Sequence, residues 1–178
     1  MELSTAIAGR RTIKDFKPDP VSAELLDRTL AAGLWAQNHK LTEPWRFTIL
    51  GPETHRWLAE AFAGSQPEAA RADAERKILA KPAVVAVSQR LAGDDTQRRE
   101  DYGAVACAVQ NIQLAAWAEG VGMQWSSGKI IRLEAVYNLL GIDRATEEIV
   151  GLLFFGYPLR VPEAAPRTPL SGVSRRLP

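Results

Sequence analysis

The chain is predicted to form a three-layer α/β/α arrangement of the α+β class: a mixed central sheet flanked by helices, with an extended C-terminal arm. Three observations lead there. The runs AVVAVS (83–88) and EEIVGLLFFGYP (147–158) contain short, nearly continuous apolar stretches, the pattern of strands buried on both faces. Such strands need helical cover on both sides of the sheet, and helical stripes lie before and between them. The segment 158–178 holds five of the 11 prolines, which rules out a helix or a central strand there. A length of 178 residues is enough for one sizeable core. Without an internal repeat or an earlier linker, 1–178 is read as one domain, with 158–178 as its arm.

Each element has a local reason. Residues 3–9 read as a short helix ending near Gly9. Ser22 is a fair N-cap for SAELLDRTLAAGLW, where Leu26, Leu30 and Leu34 recur every four residues. RFTIL (46–50) suits a strand with Phe47 and Ile49 on one face. Pro52 can open the next helix, in which Leu58, Ala61 and Phe62 share a face. Residues 67–81 are Ala-rich and charged, an exposed helix stopped by Pro82. RLAGDDTQRRED (90–101) reads as a solvated connector. Residues 101–120 read as a long helix, apolar almost all round, suited to a core or a tight helix–helix contact. Its Cys107, the lone cysteine, is expected to be a buried, inert thiol. GMQWSSG (122–128) reads as a short strand entering a turn, and RLEAVYNLLGI (132–142) as an amphipathic helix with Gly141 near its C-terminus.

Composition excludes several function classes. With 46% hydrophobic and 24% charged residues the chain is ordinary for a globular protein. A net charge of +1 provides no global field for nucleic acid or an anionic membrane, so any anion site must be local. No run approaches a membrane span. MELSTAIAGRR places its basic residues after its apolar stretch, the wrong order for a secretory signal, so a cytoplasmic location is expected. His39, His55 and Cys107 show no metal-ligand spacing. There is no G-x-G-x-x-G, no Walker loop and no evident pair of catalytic carboxylates.

What remains is local chemistry. Arg10, Arg11, Thr12 and Lys14 place three cations and a hydroxyl within five residues at a helix end. Guanidinium forks and a hydroxyl match phosphate oxygens; equally, cations at a helix C-terminus complement its dipole. The connector LWAQNHKLTEPWRF (34–47) carries hydrogen-bonding groups and two tryptophans where a plain turn would suffice. His39 reads alone as a surface hydrogen-bonding residue, and Trp45 as a core lid. WSSG (125–128) offers hydroxyls and backbone N–H groups before a helix, an oxygen-binding turn or an ordinary cap.

In this order, these segments resemble the FMN-dependent nitroreductase family. RRTIKDF (10–16) is similar to the family's R-R-S-I-R-x-F, and AQNHKLTEPWRF (36–47) to its A-P-S-x-x-N-x-Q-P-W-x-F. Gln37, Leu41 and Glu43 replace the usual Pro, Asn and Gln. GVGMQWSSG, EIVGLLFFGYP and the arm with its RTPL complete a likeness over nearly the whole chain, closest to the compact branch of NAD(P)H nitroreductases. The resemblance implies a homodimer with FMN at the subunit interface and an arm exchanged between subunits. It implies that Arg10, Arg11 and Thr12 hold the phosphate and ribityl end of FMN, with Lys14 near the pyrimidine edge. Trp35 and His39 would reach the flavin from the partner, and Trp125, Ser126 and Ser127 would contact it from their turn. Arg167 would be a further phosphate-binding cation. Ala115, Ala116, Trp117, Ala118, Glu119 and Gly120 match a region associated with the nicotinamide cofactor. The activity implied is NAD(P)H-driven hydride transfer through the flavin to an electron-poor small molecule, a nitroaromatic or quinone. A non-turnover flavin carrier or sensor, and a flavin enzyme dehalogenating or dehydrogenating a specific metabolite, are the alternatives.

Overall fold

Four strands build the sheet, in the order β1-β2-β4-β3: β1 (Trp45–Ile49), β2 (Ala83–Arg90), β3 (Gly122–Ser126) and β4 (Glu147–Gly156). The computed structural model describes residues 1–178. All three ladders are antiparallel, and the parallel component of the expected mixed sheet is a single bridge from Thr12 to Met123. The two apolar runs became the central strands. In β4, Leu153 and Phe155 enter one core while Leu152 and Phe154 enter the other; in β2, Val85 and Val87 are matched against Val84 and Ala86 in the same way. Alternation of side chains across a strand makes a continuous apolar run serve two cores at once.

Helices α1 (Leu3–Gly9), α2 (Ala23–Gly33) and α5 (Asp95–Ala118) belong to one face of the sheet. Helices α3 (Pro52–Gly64), α4 (Glu68–Leu79) and α6 (Glu134–Leu140) cover the other. The caps follow the sequence: the Ser22 side chain accepts from the Leu25 N–H at 3.2 Å, Pro52 opens α3, and Gly141 closes α6 with φ 65°. His55 is structural, its Nε2 lying 2.9 Å from the Ile78 carbonyl oxygen and tying α3 to α4. No helix is long and apolar enough to cross a membrane.

Three expectations change. The polar stretch 90–101 is only partly a connector, because α5 starts at Asp95, where the Asp94 carboxylate caps it by accepting from the Gln97 N–H at 2.9 Å. Cys107 is exposed, since helical periodicity turns Ala104, Val105, Ala108 and Val109 inward and Cys107 outward. Leu34 is also exposed, lying just beyond the last turn of α2. The arm follows its expectation: residues 159–178 are exposed throughout and extended apart from one short turn at Leu170–Gly172.

Candidate functional site

The cation corner is built by a short extended segment laid against the sheet. The Ile13 N–H donates to the Met123 carbonyl at 3.2 Å, and the Lys17 N–H to the Tyr157 carbonyl at 2.8 Å. Thr12 and Lys14 are exposed on either side of buried Ile13, the alternation expected of extended chain, and Phe16 is half-buried. Two glycines permit the close approach. A Cβ on Gly122 would sit 2.4 Å from Ile13 Cγ1, and one on Gly156 would sit 2.7 Å from the Phe16 ring.

Arg11 has two partners and one unmet donor. Its Nη1 donates to the carbonyls of Ala8 at 2.7 Å and Arg10 at 2.9 Å, satisfying the end of α1. Its Nε is buried with no hydrogen-bond partner, alone among the buried side-chain nitrogens and oxygens. None of Arg10, Arg11 and Lys14 forms an ion pair with a carboxylate. A buried orphan donor is costly, on the order of 1–3 kcal/mol, and an anionic acceptor would remove that cost. The corner therefore fits the phosphate-bearing end of a nucleotide.

Lys14 lines three cavities: one of about 310 Å³ shared with Lys81 and Leu159, and two others. Of those two, one, of about 540 Å³, is bounded by Thr12, Lys14, Asp15, Arg160 and Pro162, with Arg160 held 3.3 Å from Asp15. The other, of about 320 Å³, sets Lys14, Lys77 and Lys81 beside Gln124 and Ser126 over an apolar floor that includes Phe62 and Phe154. Lys81 is placed firmly: its ammonium donates to the Lys14 carbonyl at 2.7 Å and lies 5.2 Å from the Phe16 ring and 5.6 Å from the Phe154 ring. Burial holds its pKa below the ordinary lysine value; Asp15 opposes this shift and Lys14 reinforces it.

The remaining residues lie in several places. Trp125 is half-buried over Gly151, its Nε1–H donating to the Val150 carbonyl at 3.3 Å. Ser127 borders a different cavity with Tyr102 and Arg144. Trp35, 89% exposed, and His39, 4.0 Å from Glu100, do not line the Lys14 cavities. Arg167 is in the exposed arm. The 115–120 segment is the end of α5: Ala116 is in the core, Trp117 lies beside Gly9, and Glu119 pairs with Arg28 at 3.6 Å.

The loop bearing His39 is unusual. Lys40, Leu41 and Glu43 have φ of 60°, 51° and 44°, left-handed values that cost a non-glycine residue about 1–3 kcal/mol each. One side chain from elsewhere and one of its own hold it: the Thr42 hydroxyl donates to the Asp101 carboxylate at 2.5 Å, and the Glu43 N–H donates to Asn38 Oδ1 at 2.7 Å. Sequence reasoning missed Lys81, Gln124 and this Asp101 network. Asp101 had no readable signal, because in sequence it ends a run of ordinary surface charges.

Fold and site together define a small α+β protein with a cation-lined, nucleotide-sized rim at one end of its sheet. Residues 7–157 match the model of the Nitroreductase family, to which the chain belongs. It is 32% identical over 176 residues to a Bacillus subtilis (strain 168) protein named "Putative NAD(P)H nitroreductase YfhC", covering 94% of this chain and 90% of that one. Its fold matches the crystal structure of a nitroreductase-like family protein from Bacillus cereus with a TM-score of 0.90 at 31% identity, over 99% of this chain and 96% of that one. It also matches a Desulfovibrio desulfuricans protein crystallised with FMN, at TM-score 0.79 and 24% identity, over 100% and 98% of the two chains. That last likeness is one of fold.

Proposed function

We propose that this protein is an FMN-dependent NAD(P)H oxidoreductase, a cytoplasmic homodimer that passes hydride by way of the flavin to an electron-poor small molecule such as a nitroaromatic or quinone. The observation that carries the reading is the buried, unpartnered Nε of Arg11 in a corner of cations without carboxylate partners. The FMN in the Desulfovibrio relative and the NAD(P)H in the name of the Bacillus subtilis relative support it.

FMN, when bound, supplies the hydride chemistry, so no catalytic triad is needed. Arg10, Arg11 and Thr12 hold its phosphate and ribityl end by charge-assisted hydrogen bonds. Lys14 sets a positive charge at the pyrimidine edge, which favours the negative charge acquired there on reduction. Ser126 faces the same cavity as Lys14, while Trp125 and Ser127 complete the turn. Trp35 and His39 serve the partner's pocket, consistent with their exposure in a single chain. Arg167 adds a phosphate contact from the arm, and residues 115–120 adjoin the nicotinamide cofactor.

The test is a visible absorption spectrum of the purified protein with FMN, before and after anaerobic NAD(P)H. A flavin spectrum that bleaches is expected. Replacing Arg10 and Arg11 together by Gln removes at least one charged hydrogen bond and should weaken FMN binding about tenfold or more. A colourless protein that takes up no FMN, or a double variant with unchanged FMN affinity, would contradict the reading.

A further inference from the structure

The 38–43 loop is held by one buried carboxylate. Asp101 lies on α5 at 2% exposure, and its Oδ1 accepts from the Thr42 hydroxyl at 2.5 Å and from Gln97 Nε2 at 3.2 Å. Burying a carboxylate is unfavourable unless hydrogen bonds satisfy it. Here those bonds also impose a direction. The Asp101 oxygen accepts, and Thr42 gives it the hydroxyl proton. The Thr42 oxygen is then free to accept from Asn38 Nδ2 at 3.0 Å. That sets the Asn38 amide so that its Oδ1 takes the Glu43 N–H at 2.7 Å. Nε2 of His39 is 4.0 Å from Glu100, so the same turn of α5 meets the loop a second time. Arg46 Nη1 donates to the Glu43 carbonyl at 3.1 Å.

The backbone shows what this support is for. Lys40, Leu41 and Glu43 hold left-handed φ values without being glycine, a conformation that persists only where surrounding contacts enforce it. Leu41 lacks the short polar side chain that eases this geometry in Asn. We propose that Asp101, acting through Thr42 and Asn38, is the positioning residue that holds the 38–43 loop in its left-handed form and thereby sets where His39 stands. The functional part of this statement rests on the flavin reading above; the support of the loop does not.

The test uses the full chain with Thr42→Val, which removes the hydroxyl at similar volume, and Thr42→Ser, which restores it. In FMN-free protein, amide hydrogen exchange at Glu43 should accelerate tenfold or more in Thr42→Val, with sheet amides unchanged, and stay within twofold of wild type in Thr42→Ser. FMN affinity should fall about tenfold in Thr42→Val. Added to His39→Ala, the same change should weaken affinity by less than a further twofold, because its effect passes through His39. Unchanged exchange at Glu43 overturns the proposed support whatever FMN does. Fully additive losses with His39→Ala overturn the positioning of His39. A wild type that takes up no FMN yet shows the exchange response overturns the flavin reading and upholds the loop support.

Discussion

At the scale of single residues, the site is set by charges with uneven company. Arg11 gives one nitrogen to the end of α1 and leaves another buried without a partner, so it is a helix-end cation with a donor to spare for an anion. The two readings of this corner in sequence are thus compatible: one guanidinium has enough donors for both. Lys81 has the opposite imbalance, a half-buried ammonium with a carbonyl and two aromatic faces but no carboxylate ion pair. Its pKa is lowered on folding, so below its folded value the protein bears the full cost of keeping it charged. As pH rises through that value toward the ordinary 10.5, the unfolded chain retains more protons and stability increases. Urea unfolding of wild type and Lys81→Met should therefore show wild type gaining relative to the variant as pH rises across this window. A difference that is flat with pH would refute this account of Lys81.

At the scale of elements, the segment 12–16 matters most, because it fixes the cation corner to β3. Its closeness depends on Gly122, where any side chain would meet Ile13. Gly122→Ala should cost about 1–3 kcal/mol by overpacking and push Thr12 and Lys14 out of place. A lowered unfolding midpoint together with weaker FMN binding is the expected result; a variant matching wild type in both would show that the segment can shift freely. Most elements were legible in sequence, because caps such as Ser22 and Pro52, and apolar runs such as that of β4, act locally. The start of α5 was not. Its first turns are polar because one side is solvated and the other holds the 38–43 loop, a pattern that in sequence looks like a connector.

At the scale of the whole molecule, one chain leaves a great deal exposed. Leu3, Ile7, Leu34, Trp35 and Leu41 are between 54% and 82% exposed or, for Trp35, 89%. The arm adds Leu170, Val173 and Leu177, at 70–76%. Surface of this kind suits a second copy. If the arms are exchanged between subunits, as the family resemblance implies, a chain ending at Pro158 should keep its far-UV circular dichroism but dissociate at concentrations where the full chain is dimeric. Sedimentation velocity over a concentration series measures this. A dimer equally tight without the arm would show that the arm does not join the subunits.

The sequence by itself determined the layers, the two central strands, the extended arm and the cation corner with its family resemblance. Each of these depends on residues close together in the chain, where periodicity, capping and proline act directly. Only the tertiary structure decided that Lys81 meets Lys14 at a shared cavity and that the Asp101 carboxylate accepts from Thr42, 59 residues before it. Those outcomes depend on which side chains meet across the fold. A distant partner leaves no mark on the local pattern from which a sequence is read.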